Sequence, residues 1–323
     1  MGEVARLAGI AAATGLLAGA TTGVLIPVLT RRQILDRPNE RSSHLVPTPR
    51  GGGIAVIAAA ALAWAALAWT GAALSGVFAI ALGAIFLAGI SWVDDLRGLP
   101  PLLRLAAQAV AVALGVSVLS QPLTALQLGG IGLVWIWWIN LFNFMDGIDG
   151  LAASEAAAIG AGLLLFAGIG VGADPALRAL AAAVTGAAAG FLFWNWSPAR
   201  IFLGDVGSVP LGYLLGFLLL ELAARGHWLT ALILPLYFLA DATITLLRRL
   251  LRGERVWQAH REHFYQRAVQ GGLGHAEVVE RVIAADLLLI GFAWAAGNGW
   301  GVASLAASAA TVAILLTLLA RGS

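Results

Sequence analysis

The segment that decides the fold is Leu74–Arg97, LSGVFAIALGAIFLAGISWVDDLR, in which a long apolar run ends on two adjacent aspartates. The hydrocarbon core of a bilayer is about 30 Å thick and is crossed by roughly 20 apolar residues in a helix. The run therefore predicts a transmembrane helix over Leu74–Val93, with Asp94 and Asp95 at the membrane boundary. Ionisable groups at such a position are energetically costly, so the pair is a functional-site hypothesis.

The composition extends this interpretation to the whole chain. Of its 323 residues, 60% are hydrophobic and only 11% are charged, with a mean hydropathy of +0.89, whereas a soluble domain carries about 25% charged residues. The absence of cysteine excludes disulfides and thiolate metal sites. The pI near 9.6 would suit a nucleic-acid-binding protein, but the arginines lie in short loops between apolar runs, as the positive-inside rule produces. We therefore expect membrane lipids, and no nucleic acid, as partners.

Outward from Leu74–Val93, the same length criterion predicts eleven transmembrane spans. The fold class is therefore an all-α, polytopic membrane helical bundle, and residues 1–323 form a single integral membrane domain. The spans are Val4–Thr30, Gly52–Trp69, Leu74–Val93, Leu102–Leu119, Leu128–Phe142, Leu151–Val171, Ala176–Phe193, Val209–Ala224, Trp228–Leu247, Val278–Gly297 and Trp300–Ala320.

The loops between these spans alternate in charge. Those after the odd-numbered spans carry most of the arginines, whereas those after the even-numbered spans, such as Thr70–Ala73 and Ser120–Gln127, are short and nearly uncharged. Because cytoplasmic loops are the ones enriched in arginine and lysine, we expect the odd loops in the cytoplasm and the N-terminus outside, in the periplasm. The acidic and histidine-rich segments then all lie on the cytoplasmic side.

Two of these segments are rich in carboxylates and amides. The adjacent Asp94 and Asp95 raise each other's pKa unless a cation relieves them, and magnesium would do so together with substrate phosphates; the alternative is a solvated helix end paired with Arg97. Asn140–Gly150, NLFNFMDGIDG, holds two Asp-Gly turns that allow the backbone to approach a ligand. The alternative there is a polar interhelical turn, with Asp149 capping the next helix.

The segment Pro198–Ser208, PARIFLGDVGS, precedes the eighth span. Its Gly-Ser pair at 207–208 is predicted to open a helix, whose N-terminus attracts phosphate. Asp205 could bring the counter-cation, and the ring of Phe202 could stack on a base. The alternative is simple helix capping by Ser208 or Asp205.

The longest loop contains the sequence HREHFYQR from His260 to Arg267. The spacing predicts that His260 and His263 share a helix face. Together with Arg261 and Arg267 they would form a pyrophosphate clamp, whereas the oxygen-rich acids elsewhere favour magnesium over a zinc site here. The alternative is an amphipathic interfacial helix that binds anionic lipid.

The sequence leaves two interpretations for each of two further polar residues. His44 begins a proline-rich stretch that runs into Gly51, Gly52 and Gly53, and this stretch is either a ligand-binding loop or a rigid connector. Asp241 lies within the ninth span. It could pair with an arginine of its own bundle or line the path of a lipid phosphate.

At these residues the chain resembles the polyprenyl-phosphate N-acetylhexosamine-1-phosphate transferase superfamily, glycosyltransferase family 4. The resemblance runs from about Asp36 to Arg267. It is carried by the Asp94-Asp95 pair, the run from Asn140, the Phe-Leu-Gly-Asp-x-Gly-Ser run from Phe202 and the histidine loop. Four motifs in this order are highly specific, although each alone would be weak.

The resemblance implies a function and a set of site residues. An N-acetylhexosamine-1-phosphate would pass from a UDP-sugar to undecaprenyl phosphate, giving UMP and starting O-antigen, surface-polysaccharide or cell-wall glycan synthesis in the bacterial cytoplasmic membrane. Mg2+ would be the cofactor, with Mn2+ as a substitute, and a homodimer is also expected. The catalytic residues would be Asp94, Asp95, Asp146 and Asp205, of which Asp205, Asp94 and Asp95 would bind the metal. The substrate-binding residues would be His44, Asn140, Asn143, Asp149, Phe202, His260, Arg261, His263 and Arg267.

One departure bears on the substrate. The peptidoglycan branch of the superfamily, which includes MraY, has adjacent histidines in the loop that here reads HREHFYQR. The chain therefore looks more like the WecA/WbpL-type branch, with a phospho-N-acetylmuramoyl-pentapeptide transferase as the alternative. A membrane transporter is a second alternative, but it should place polar residues near the bilayer midplane rather than at one edge.

Overall fold

The computed structural model describes residues 2–38, 46–121, 124–166, 174–255 and 260–322, and within these ranges the protein is almost entirely helical. His44 lies outside the described residues. The helices are α1 Gly2–Arg31, α2 Gly53–Trp69, α3 Val77–Arg97, α4 Pro101–Val116, α5 Ala125–Phe144, α6 Leu151–Phe166, α7 Pro175–Asn195, α8 Asp205–Leu222, α9 Trp228–Ile233, α10 Leu236–Leu251, α11 Phe264–Gln270, α12 His275–Ala295 and α13 Gly301–Arg321. Two-residue strands, β1 Leu35–Asp36 and β2 Thr48–Pro49, pair antiparallel.

The described part of the chain holds six helical stretches that are long and apolar enough to cross a membrane, and three shorter apolar helices, α2, α4 and α6. The six stretches are Gly2–Arg31, Val77–Arg97, Ala125–Phe144, Pro175–Asn195, Asp205–Ile233 and His275–Arg321. The last of these folds back on itself, because Gly322, just beyond α13, lies against Leu273, just before α12. The chain is an all-helical, multi-pass membrane protein.

The ninth and the fifth predicted spans differ from the helices of the structure. The ninth, Trp228–Leu247, is broken, because α9 ends at Ile233 and α10 begins only after Pro235, which has no N–H to continue the hydrogen-bond ladder. The fifth is longer than predicted. Its helix α5 begins after Thr124, which exchanges hydrogen bonds with Gln127 in a capping box.

Helix α8 lies at the centre of the bundle and is buried along nearly its whole length. It meets the start of α2 through bare backbone, since a Cβ on Gly53 would lie 2.1 Å from the Cα of Gly207. Glycines make a second close crossing between α1 and α7, where a Cβ on Gly190 would lie 2.0 Å from the carbonyl oxygen of Gly15. Such contacts exclude any larger residue and bring the ends of these helices into fixed positions.

The two ends of the bundle differ in what they carry. At one end Arg178 pairs with Glu3 at 2.9 Å, and Arg225 pairs with Asp174 at 2.8 Å. At the other end the C-termini of α3 and α5 meet the N-termini of α2, α4 and α8, and these termini bear most of the predicted site residues. The bundle therefore has one end held by these two ion pairs and an opposite end that carries the acidic residues.

Candidate active site

The acidic end is organised around Asp205, the first residue of α8. The Nη2 of Arg50 lies 2.6 Å from Asp95 Oδ1 and 3.0 Å from Asp205 Oδ1. The Nη1 of Arg104 lies 3.2 Å from Asp94 Oδ2 and 3.9 Å from Asp205 Oδ2. Two guanidinium groups thus hold three carboxylates from α3 and α8 together, and the predicted convergence of these acids is present.

Asp95 also supplies the cap of α8. Its two carboxylate oxygens accept the backbone N–H groups of Asp205 at 3.2 Å and of Val206 at 3.0 Å. The helix begins at Asp205 rather than at Gly207-Ser208 as predicted, and neither Ser208 nor Asp205 caps it. A carboxylate from another helix satisfies the unpaired N–H groups and complements the positive end of the helix dipole.

Asp205 is the most accessible of the three acids. Its side chain is 21% exposed, against 8% for Asp94 and 2% for Asp95. No group of three acidic or histidine side chains within the described ranges converges as a metal cage. Magnesium, however, is typically held by one or two carboxylates together with substrate phosphates, and Asp205 fits that donor set. The roles of Asp94 and Asp95 as metal ligands stay predictions.

Asp146 lies in the turn between α5 and α6 and interacts electrostatically with the same cluster. Burial, reinforced by the negative charge of Asp205, raises the pKa of Asp146 to about 7, although Arg50 acts in the opposite direction. Just before it, the amide oxygen of Asn143 accepts a hydrogen bond from the hydroxyl of Ser208. The turn is therefore joined to the first turn of α8, and Asp146 is poised to exchange a proton near neutral pH.

Arg50 and Arg104 were not among the predicted site residues. Arg50 is placed by backbone pairing, in which Phe202 N–H donates to Pro49 at 2.8 Å and Gly52 N–H donates to the Phe202 carbonyl at 2.9 Å. These bonds join the glycine-rich stretch to the segment before α8. Arg104 projects from the first turn of α4. An arginine directly before three glycines is a usable sequence signal, whereas Arg104 is recognisable only from the fold.

An apolar groove opens at the acid cluster. A cavity of about 420 Å³ is lined mainly by apolar side chains of α3, α4 and α5, and its polar end carries Asp94, Arg104 and Asp205. A second cavity of about 390 Å³ between α4 and α5 shares Leu133 and Ile136 with the first. Together they form a path along the helices that suits a long apolar chain with an anionic head.

The amides beside this groove are paired. The side-chain nitrogen of Asn140 donates to Gln108 at 2.7 Å, and the nitrogen of Gln108 returns a longer bond to Asn140 at 3.4 Å. Asn140 and Asn143 both line the cavity, as does Gln108. The predicted substrate-binding asparagines therefore face the groove side of the cluster.

A separate cavity of about 300 Å³ is lined by Asp149 and Phe202, two of the predicted substrate-binding residues. Asp149 Oδ2 accepts the Ala199 N–H at 3.1 Å and lies 3.2 Å from His275 Nδ1. Burial by itself would raise the pKa of Asp149, but the hydrogen bond and charge of His275 outweigh it and lower that pKa. His275 was not predicted, since it follows the histidine loop and precedes an ordinary apolar helix.

The histidine loop departs from its predicted helical form. Helix α11 begins only at Phe264, so His260 and His263 precede it and do not share a helix face. Their rings are nevertheless neighbours, with centroids 4.8 Å apart. Burial, together with the charges of His263 and Arg249, lowers the pKa of His260 to about 4.

The remaining members of the predicted clamp are differently placed. His263 is buried and pairs through Nδ1 with Asp241 Oδ1 at 3.1 Å, so its ring is turned toward the protein. The Arg261 carbonyl accepts a bond from Gln270, and the Arg267 side chain is exposed. Whether Arg261 and Arg267 bind a pyrophosphate stays a prediction.

The fold and the site define a multi-pass helical membrane protein in which an apolar groove and the smaller cavity beside Asp149 flank an arginine-bound acid cluster. A profile of glycosyl transferase family 4 matches residues 77–223, the stretch from α3 to just past α8. The phospho-N-acetylmuramoyl-pentapeptide-transferase of Synechococcus sp. (strain JA-2-3B'a(2-13)) is 31% identical over 307 residues, covering 84% of this chain and 87% of that protein. The chain belongs to glycosyl transferase family 4.

Other relatives are named for a different sugar substrate. A probable undecaprenyl-phosphate N-acetylglucosaminyl 1-phosphate transferase of Bacillus subtilis (strain 168) is 27% identical, over 84% of this chain and 79% of that protein. A decaprenyl-phosphate N-acetylglucosaminephosphotransferase of Mycobacterium leprae (strain TN) is also 27% identical, over 80% of this chain and 75% of that protein. The resemblance that the four motifs indicated is confirmed at the level of the family.

Proposed function

We propose that this protein transfers an N-acetylhexosamine-1-phosphate from a UDP-sugar to undecaprenyl phosphate, with release of UMP. The observation that carries the proposal is the position of Asp205 and its arginines at the polar end of the apolar groove, three residues along the chain from Phe202, which lines the separate cavity of about 300 Å³. The groove suits a polyprenyl chain and the cavity suits a base. The relatives that are named as polyprenyl-phosphate sugar-phosphate transferases support the same reaction.

The reaction follows from the chemistry of the two substrates. An oxygen of the lipid phosphate attacks the β-phosphorus of the UDP-sugar, a new P–O bond forms, and the bond from that phosphorus to the bridging oxygen breaks. UMP leaves with the electron pair of that bond. Asp146, whose pKa lies near 7, accepts a proton from the lipid phosphate when the latter arrives protonated.

The arginines and the metal supply electrostatic stabilisation. Arg50 and Arg104, which pair with Asp205, would stabilise the charge on the transferred phosphoryl group, and positioning with electrostatics provides most of the catalysis in phosphoryl transfer. Asp205 would hold magnesium, with Asp94 as the second carboxylate. When bound, the metal neutralises the diphosphate and the leaving phosphate.

The orientation completes the proposal. We assign the eleven predicted spans to α1 to α8, the broken α9–α10 pair, α12 and α13. With the arginine-rich loops in the cytoplasm, the acid cluster lies at the cytoplasmic face of a bacterial inner membrane. A lipid phosphate at headgroup level and a cytosolic nucleotide can meet only at that face.

The test is UMP release by the purified protein in detergent with undecaprenyl phosphate and a panel of UDP-sugars. We expect turnover with at least one UDP-N-acetylhexosamine in the presence of Mg2+, and loss of turnover in EDTA. UDP-MurNAc-pentapeptide belongs in the panel, because the 31% identical relative is named for that substrate. Failure of every donor to release UMP, or counterflow of a substrate in liposomes without UMP, would overturn the proposal. A phosphorylated enzyme trapped without lipid would replace direct attack by an aspartyl-phosphate route.

A further inference from the structure

Asp241 is a fully buried carboxylate in α10 that the reaction described above does not use. Its Oδ1 lies 3.1 Å from His263 Nδ1 and accepts the Phe264 N–H at 3.1 Å. Its Oδ2 accepts the Tyr265 N–H at 3.3 Å. These three partners belong to the end of the histidine loop and the first turn of α11, so His263 takes the place of the arginine or lipid phosphate considered from the sequence.

The same carboxylate is also bound from its own helix. The hydroxyl of Tyr237 donates to Oδ2 at 3.3 Å, and the hydroxyl of Thr245 donates to Oδ1 at 3.4 Å. Asp241 therefore accepts five hydrogen bonds, which accounts for its burial. An asparagine has the same shape but a single acceptor oxygen and two donors, so it could not satisfy this set.

The contact with Asp241 determines which nitrogen of the His263 imidazole is available to other groups. With Nδ1 donating to Asp241, Nε2 is the nitrogen left to accept or donate elsewhere. Two rings neighbour that of His263: the centroid of the His260 ring lies 4.8 Å away, and the Tyr265 ring stacks on it at 5.6 Å with an interplanar angle of 14°. The orientation of His260 thus depends on that of His263.

Helix α11 also packs on the turn between α5 and α6 that carries Asp146. The Tyr265 hydroxyl donates to the Phe144 carbonyl at 2.9 Å, at the end of α5. A Cβ on Gly147 would lie only 2.1 Å from the same hydroxyl oxygen, so this position admits no side chain. The first turn of α11, held by Asp241, therefore packs directly against the turn that carries Asp146.

We propose that Asp241 is the positioning residue of His263, and that through His263 and α11 it sets the place of the histidine loop for the diphosphate of the nucleotide-sugar. The inference rests on the proposed function for its substrate, while the docking of the loop can be measured without turnover. The lipid phosphate, at the polar end of the groove beside Arg104, would not depend on this contact.

The kinetic test is the variant Asp241→Asn, with Asp286→Asn as the matched control. Asp286 is a buried acid of α12 that lies beside the buried Glu155 of α6 and outside the hydrogen-bond set of Asp241. For Asp241→Asn we expect the KM for the UDP-sugar to rise about tenfold or more and the KM for undecaprenyl phosphate to change by less than about twofold, as for loss of an orienting partner. For Asp286→Asn both constants should stay as in the wild type. An unchanged KM for the UDP-sugar, or an equal rise in both constants, would overturn the proposal.

A second measurement is independent of activity. Backbone amide hydrogen exchange over residues 264–266 should be faster in Asp241→Asn than in the wild type, while residues 208–216 in α8 should exchange as before. His263→Asn, whose amide nitrogen lies near the position of Nδ1, should protect these amides better than His263→Gln, whose amide nitrogen lies near that of Nε2. Equal exchange in all these proteins would refute the docking even if the wild type turns over. Normal docking with no UMP release by the wild type would instead refute the proposed function.

Discussion

Asp205 is the single residue on which the proposed chemistry depends most, since it lies between two arginines and has the most accessible carboxylate of its cluster. In Asp205→Asn the shape is kept and the charge is lost, so we expect turnover to fall on the order of a hundredfold or more. The measurement is UMP release over a magnesium titration. The exposed Glu280→Gln on α12 is the control and should keep wild-type activity. Near-normal turnover of Asp205→Asn at saturating magnesium would contradict the metal role.

The raised pKa of Asp146 makes a prediction about pH. In the unfolded chain a carboxyl titrates near pH 3.9, whereas in the folded protein Asp146 titrates at about 7. Its contribution to the free energy of unfolding is therefore fully present below about pH 4 and is lost as the pH rises through 7. In EDTA, thermal unfolding at pH 5 and pH 8 should differ less in Asp146→Asn than in the wild type. The same pH difference in both proteins would contradict the assignment.

The lowered pKa of His260 determines how this side chain can bind a phosphate. Because its pKa is lowered to about 4, the free protein holds it neutral at neutral pH, so it would bind a phosphate by a hydrogen bond rather than as a fixed cation. His260→Ala should raise the KM for the UDP-sugar about tenfold. Steady-state kinetics with each substrate varied in turn would measure this. An unchanged KM and rate would count against a substrate contact.

Among the elements, the α1–α7 pair shows how the bundle is held together without large side chains. Gly190→Ala would place a Cβ 2.0 Å from the backbone of Gly15, so the two helices must separate. We expect a loss of about 1–3 kcal/mol in stability, as for overpacking elsewhere, measured by thermal unfolding in detergent. Gly9→Ala is the control, because nothing lies within 4 Å of its Cβ position. Equal stability of both variants would show that the helices do not cross this closely.

The capping of α8 shows that elements also share polar groups. Asp95 belongs to α3 but binds the first N–H groups of α8 and Arg50 at once. The positions of these acids therefore depend on how α3 packs on α8. Asp205 lies at the N-terminus of α8. Such preorganised groups are what phosphoryl transfer requires.

For the whole molecule, the orientation in the membrane is directly testable, since the chain has no cysteine of its own. Ser75→Cys lies in the exposed turn between α2 and α3, and Gln270→Cys lies at the exposed end of α11. In intact spheroplasts a membrane-impermeant maleimide should label the cysteine at 75 and should reach the one at 270 only after permeabilisation. The reverse pattern would place the acid cluster on the outer face and would exclude a cytosolic nucleotide substrate.

The lengths and alternation of apolar runs were sufficient to predict the class of fold. A segment such as Leu74–Arg97 has to cross a bilayer as a helix because its backbone can be satisfied there in no other way. The Asp94-Asp95, Asn140–Gly150 and Phe202–Ser208 motifs likewise identified the family, because local sequence carries the groups themselves. The break at Pro235 and the start of α8 at Asp205 could not be predicted from local sequence, since helix ends also depend on contacts with residues distant along the chain.

Only the tertiary structure decided how those groups are used. Arg50 and Arg104 are ordinary loop and helix arginines by sequence, and Asp241 is a lone acid in an apolar span. Their roles arise from contacts between residues distant along the chain, such as Arg50 with Asp205 and Asp241 with His263. Hydrophobic length is a local property that the bilayer reads segment by segment, whereas the pairing of charges depends on distances that exist only once the helices have packed.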